Sequence, residues 1–194
     1  MSSPHILLPG ERVSLVMTNR DHLPDYHRWE NDPATILGYG TQVTQSWEVR
    51  AGGWEGQGRN RDYAQFEVIT NDDQAPVGLT TLQIDSAVRT AEFVILIAPE
   101  ARGKGLATEA TSLTLRWAFE YAALRMVWLK VLEANAAGMT AYQKAGFQDA
   151  GRLRQSGYWL GRPCDEILMD VIADDFLTSA PPPRPRDQRR PGEA

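Results

Sequence analysis

A chain of 194 residues with 42% hydrophobic content can bury one sizeable core and is the length of one domain. Its net charge of −5 speaks against a nucleic-acid footprint, and it has no run of about 18 apolar residues to span a membrane. Cys164 is the one cysteine, so an intramolecular disulfide is excluded, and a thiol-based redox centre or a zinc site lacks its usual ligands.

In chain order, Met1-Ser2-Ser3-Pro4-His5 lacks the basic stretch and apolar core of a secretion signal, so a cytoplasmic protein is expected. Residues 12–17 alternate apolar and polar side chains, as a half-buried strand does. Residues 23–31 read as a helix that Asp32-Pro33 stops. His22 and His27 are five apart, a spacing that does not stack on one helix face, so they are expected in solvent and no metal site is expected. Ser46 suits the N-cap of a second helix with Glu48 and Arg50 outward, although Gly52-Gly53 weakens it. Residues 65–70 and 77–85 read as two strands of a hairpin, joined through turn chemistry at Asn71-Asp72-Asp73.

Residues 92–98 are almost wholly apolar on both alternating faces, the pattern of a central strand covered on both sides. A long helix over 106–121, with Leu113 and Trp117 on one face, and a strand over 126–132 follow. Asn135 caps a short helix that Gly146 closes, and two strands lie around 147–154 and 167–172. About seven strands and four helices in this order give a mixed sheet of the α/β or α+β class. From Ser179 onward no aliphatic residue exceeds Ala or Pro, so residues 1–178 are expected as the domain and 179–194 as a disordered Pro/Arg-rich tail.

The most specific local signal is Arg102-Gly103-Lys104-Gly105-Leu106-Ala107, which leads from the apolar strand directly into a helix. Backbone N–H groups freed at a helix N-terminus, two glycines without a Cβ, and the charges of Arg102 and Lys104 together suit a pyrophosphate. A dinucleotide fingerprint would need glycine where Thr108 stands, and a Walker loop would need Gly-Lys followed by Ser or Thr. Both nucleotide readings fail.

The hexapeptide resembles the acyl-CoA motif of the GNAT superfamily, Arg/Gln-x-x-Gly-x-Gly/Ala. Asn135 followed by Ala141-Tyr142-Gln143-Lys144-Ala145-Gly146-Phe147 is similar to that superfamily's second motif. Trp29-Glu30-Asn31-Asp32-Pro33, Gly161-Arg162 and Asp165-Glu166-Ile167-Leu168-Met169 further resemble its RimJ/RimL-like branch, and the likeness spans about residues 10–176. The resemblance implies the GNAT fold, a sheet splayed between two parallel strands, here those ending near Ala98 and Leu132. It implies pantetheine in the splay, bonded to the backbone of Ile95, Leu96 and Ile97 and to the Asn135 amide. It also implies a pyrophosphate on the loop from Arg102 to Thr108, with acetyl-CoA or another acyl-CoA as co-substrate and no metal.

An alkylammonium has a pKa of about 10, so an amine acceptor must lose a proton before it attacks a thioester, and the departing thiolate gains from a donor. Glu92, at the head of the central strand, is the candidate base, where burial would raise its pKa, and it matches the glutamate similar proteins place there. Glu67 and Asp85 are weaker competitors. Tyr142 matches the family's tyrosine acid near the sulfur. Some RimJ/RimL-like enzymes carry a serine three residues after the helix-opening asparagine, where this chain has Gly138. A backbone N–H near Val94 is the candidate oxyanion donor. No nucleophile elbow is present, so direct attack in a ternary complex is expected.

Acceptor pockets in similar proteins use the first two helices and the late strands, here with Trp29, Tyr39, Trp47, Trp54, Tyr158 and Trp159. The acceptor stays open among a small amine, an amino acid, an amine-bearing antibiotic and a peptide N-terminus. A non-catalytic acyl-CoA sensor is the reading of another class, and a homodimer is left open.

Overall fold

A computed structural model of the chain describes residues 4–39 and 44–179. Eight strands form one sheet in the order β1-β2-β3-β4-β5-β6-β8-β7. They are β1 (Ile6–Pro9), β2 (Val13–Met17), β3 (Tyr63–Thr70), β4 (Pro76–Asp85), β5 (Thr90–Ile97), β6 (Met126–Leu132), β7 (Gln148–Trp159) and β8 (Arg162–Ile172). Every neighbouring pair is antiparallel except β5 with β6, which run parallel. The mixed sheet expected from the element order is present, with β5 in its middle.

Six α-helices accompany it among the described residues: α1 (Leu23–Glu30), α2 (Pro33–Tyr39), α3 (Trp47–Gln57), α4 (Leu106–Arg116), α5 (Ala136–Lys144) and α6 (Ala173–Ser179). Leu23, Tyr26 and Trp29 recur every three residues along α1 and are its buried stripe. Pro33 does more than stop α1. Its fixed φ suits a first helical position, and Asp32 accepts the Thr35 N–H at 2.9 Å, so a new helix starts there. The long helix expected over 106–121 is α4 followed by one wide π-turn, Trp117–Tyr121.

One core joins α1 and α4 to β2–β5, with Leu15, Tyr26, Trp29, Phe66, Leu79 and Leu113 among its buried members. A second lies towards β6 and β8, where Phe93, Leu129, Phe147, Met169 and Phe176 meet. Gly78 is required where β4 crosses β5, since a Cβ there would come 2.4 Å from the Leu96 carbonyl oxygen.

The strand β1 and the helices α2 and α6 add to the elements read from sequence. β7 and β8 form a longer hairpin than the expected 147–154 and 167–172. Gly157 and Pro163 interrupt its alternation, but both are paired in register. Of the 179–194 tail only Ser179 is described, and it closes α6; the rest lies outside the described residues. No helix among them is long and apolar enough to cross a membrane.

Candidate active site

The parallel strands β5 and β6 pair only at Thr90↔Met126, Ala91↔Val127 and Glu92↔Trp128. Beyond Glu92 they diverge, and the gap opens into a cleft of about 820 Å³. A strand residue turns its N–H and C=O to one edge, and successive residues alternate. The Ile95 carbonyl accepts from the Tyr39 hydroxyl at 2.9 Å and the Ile97 carbonyl from Arg102 Nε at 3.2 Å, so both residues face the cleft with their main chain. Ala98 N donates to Val77 O at 2.9 Å, and by the same alternation Leu96 and Val94 turn theirs towards β4. Of the three backbone partners expected for pantetheine, Ile95 and Ile97 are therefore well directed and Leu96 is not. The N–H of Val94 is likewise turned away from the cleft.

At the far end, Gly103 and Gly105 have φ of +74° and +73°, a region that side-chain-bearing residues rarely adopt. A Cβ on Gly103 would meet nothing within 4 Å, so conformation and not crowding asks for glycine there. Gly105 is the N-cap of α4, whose first N–H groups have no partner within the helix. These groups, with Leu106, Ala107 and Thr108 at the cleft wall, fit a pyrophosphate. Lys104 is exposed and free to meet phosphate, and its carbonyl accepts from Arg12 Nη2 at 2.5 Å, a brace not foreseen from sequence.

Arg102 differs from expectation. Its guanidinium lies 3.2 Å from Asp32, donates to the Ile97 carbonyl, and hydrogen-bonds Thr35 Oγ1. It ties the α2 N-terminus to the cradle, because Asp32 and Thr35 already stand where it reaches.

Asn135 caps α5, its Oδ1 accepting the Gly138 N–H at 3.0 Å, and its side chain lines the cleft. A Cβ at Gly138 would sit 2.9 Å from Asn135 Nδ2, so glycine keeps the asparagine seated. Tyr142, one turn on, packs edge-on against Phe93 and Phe147, with ring centroids 6.4 Å and 6.0 Å away. Burial pushes its phenol up to about 12. Its hydroxyl has no protein hydrogen-bond partner among the described residues.

Glu92 lines the same cleft, but its side chain is 27% exposed and lies 4.0 Å from Lys130 Nζ of β6. The apolar burial expected for it is replaced by a lysine facing it where the strands part. The competitors are otherwise engaged: Glu67 is buried beneath α1, bound to Tyr26 and to His22 Nδ1 at 2.7 Å, and Asp85 accepts the Ala87 N–H at 3.1 Å. His22 is therefore partnered, and His27 Nε2 meets the Gln45 carbonyl at 2.8 Å.

The aromatic residues divide. Tyr39 and Trp159 line the cleft. Trp29 is 1% exposed and belongs to the core, while Trp54 stacks on Tyr26 with centroids 6.4 Å apart. Trp47 and Tyr158 are exposed and are not among the lining residues: Trp47 packs edge-on against His27, with centroids 5.7 Å apart, and Tyr158 takes the face of β7 opposite to Trp159. Sequence reading missed the polar wall. Tyr63, Gln83 and Glu92 lie in one register row across β3, β4 and β5, and Glu30 of α1 faces the same space. Arg50, expected outward, is 3% exposed, with its Nε 2.7 Å from Glu30 Oε2 and its guanidinium 5.8 Å from the Tyr26 ring centre. Glycines at 52 and 53 hide the helical face that turns it inward.

A family model for the acetyltransferase (GNAT) domain matches residues 12–148. Spermidine N(1)-acetyltransferase of Escherichia coli is 32% identical over 60% of the chain, and the chain spans 63% of that relative's length. The alpha/beta-tubulin-N-acetyltransferase 9 of Drosophila melanogaster is 31% identical over 74% of the chain and 79% of its own. Spermidine N-acetyltransferase of Vibrio cholerae, solved with CoA and spermine, superposes with a TM-score of 0.82 at 24% identity, covering 87% of this chain and 99% of that one. At that identity the likeness is one of fold.

Proposed function

The chain belongs to the GNAT acetyltransferase family, and from that premise we propose that it moves an acetyl group from acetyl-CoA to a primary amine of a small polyamine-type acceptor. One observation carries the reading: the strands part beyond Glu92 into a single cleft with a phosphate cradle at one end and carboxylates at the other. A net charge of −5 suits a cationic acceptor. A cytoplasmic site of action, where acetyl-CoA is at hand, goes with it.

In this reading the cradle at Gly103 and Gly105 holds the pyrophosphate, and Ile95, Ile97 and Asn135 hold pantetheine. Glu92 takes a proton from the incoming ammonium, directly or through water. The amine nitrogen then attacks the thioester carbonyl, forming the C–N bond, and collapse breaks the C–S bond. Tyr142, still protonated across the physiological range, gives its proton to the leaving thiolate, and the second proton that the nitrogen sheds as the amide forms restores the phenol. No covalent enzyme intermediate is involved.

The test is thiol release from acetyl-CoA with a panel of polyamines, monoamines, amino acids, amine-bearing antibiotics and peptides. Turnover fastest with a polyamine supports the reading. Turnover confined to peptides would move the protein to the RimJ/RimL-like, N-terminal class, a second reading that goes with a relative named for a protein substrate, tubulin. Tight acyl-CoA binding without thiol release would make it a sensor.

A further inference from the structure

The buried pair of Glu30 and Arg50 lies outside the reacting centre, and neither the cradle nor the proposed acid and base uses it. Arg50 is 3% exposed at its side chain and Glu30 25%, so the pair is nearly sealed except where Glu30 opens on the cleft. Glu30 Oε2 approaches Arg50 Nε to 2.7 Å but off the line of a hydrogen bond, and Arg50 Nη2 is buried with no partner. Leaving an arginine so poorly satisfied is costly, which makes a role in holding Glu30 in place more than incidental.

Glu30 has a defined place relative to Glu92. Tyr63 pairs with Gln83, and Gln83 with Glu92, so Tyr63 and Glu92 stand two strands apart in one row. At the usual strand spacing that is on the order of 10 Å. A run of side chains ties Glu30 to the Tyr63 end of the row: Glu30 meets Arg50, Arg50 Nη1 donates to Gln57 Oε1 at 3.4 Å, and Gln57 Nε2 donates to the Tyr63 hydroxyl at 3.3 Å. We propose that Glu30, held by Arg50, receives a second ammonium of a linear polyamine whose reacting amine lies at Glu92. This rests on the amine-acetylating function proposed above and names its specificity residue.

The span corresponds to the end nitrogens of an extended triamine with propyl and butyl segments, and exceeds that of a short diamine. Electrostatics agree with the geometry. Burial raises the Glu30 carboxyl above its ordinary range, a larger influence than the opposing attraction of Arg50, so one guanidinium does not fully compensate the carboxylate. A substrate ammonium supplies the missing charge. Arg50 acts as a positioning residue that keeps one oxygen engaged and leaves the other to the cleft.

The experiment compares spermidine with butylamine as acceptors for the wild type and for Glu30→Gln, with kcat and KM measured separately. Glu30→Gln should raise KM for spermidine by about tenfold or more, the usual loss of a charge-assisted contact, with kcat and both butylamine constants near wild type. The acetyl-CoA KM should not move. An unchanged spermidine KM, or an equal loss on both amines, overturns the assignment while leaving amine acetylation standing. A wild type that acetylates neither amine overturns the function and the assignment together. If Glu30→Gln fails to fold, Glu30→Gln/Arg50→Met, which leaves no orphaned guanidinium, carries the same comparison.

Discussion

The Tyr39 hydroxyl donates a 2.9 Å hydrogen bond to the carbonyl of Ile95, one of the two main-chain acceptors that β5 turns into the cleft. A pantetheine amide that bonds this carbonyl competes with the tyrosine for its lone pairs. Tyr39→Phe removes the competitor, and with a net worth of about 1 kcal/mol for such a bond, acetyl-CoA should bind about fivefold tighter. Calorimetric titration measures it. Weaker binding in the variant would mean that Tyr39 itself contacts the carrier.

At the cradle, acetyl-CoA should stabilise the wild type by about 2.7 kcal/mol at one hundred times its dissociation constant. Gly105→Val should remove that protection, because its φ of +73° disfavours any Cβ-bearing residue and the branches fill the phosphate approach. Thermal melts with and without acetyl-CoA decide. Equal protection in both proteins would place the pyrophosphate elsewhere.

The proposed base and acid should separate by pH. Glu92→Gln should lower turnover by about 10²- to 10⁴-fold at neutral pH, with the deficit shrinking as alkali deprotonates the amine unaided. Tyr142→Phe should keep its deficit on the alkaline side, since alkali supplies amine but no proton for the thiolate. In the wild type, a phenol raised to about 12 stays a donor well above the ordinary tyrosine range, so no loss from Tyr142 is expected near pH 10. Full activity of Glu92→Gln at every pH would make Glu92 structural.

Arg50→Met should destabilise the fold by about 3 kcal/mol at neutral pH, the usual cost of leaving a buried charge alone. The sign with pH follows from Glu30. Its carboxyl is raised in the folded state, and loss of Arg50 raises it further, so the native state holds a proton over a window where the unfolded chain does not. Stability of the variant should therefore rise as pH falls through that window. Urea unfolding at neutral and mildly acidic pH shows it, and a deficit that deepens in acid would contradict it.

Much of the fold was legible because the chain marks it locally. The apolar run of β5, Ser46 and Asn135 as caps, and glycines at 103 and 105 each depend on near neighbours, whereas β2, expected half-buried from its alternation, is buried on both faces between β1 and β3. What escaped depends on the tertiary fold. Arg50 reads as a surface residue until α3 lies on α1, Trp29 reads as a pocket wall until it enters the core, and Glu30 gains its place only from the row that β3, β4 and β5 form together. Lys130 meets Glu92 only because the two parallel strands part there.

The end of the domain gives a further prediction. Phe176 of α6 is buried against Phe119, with centroids 5.4 Å apart, and anchors the last helix of the domain expected over residues 1–178. Phe176→Ala should cost about 3 kcal/mol, whereas removing residues 180–194 should change stability by less than about 0.5 kcal/mol. Denaturant midpoints of the two variants measure both, and a large loss on removing 180–194 would reveal a docked segment.

The most direct test of the central claim follows the acetyl carbon itself. The protein is mixed with spermidine and acetyl-CoA labelled in its acetyl carbonyl, and the carbonyl resonances are followed in time. The account predicts that the thioester signal falls as an amide signal on a primary nitrogen rises, one for one, with free thiol released in the same amount. A persistent thioester, or label recovered as free acetate, would contradict it.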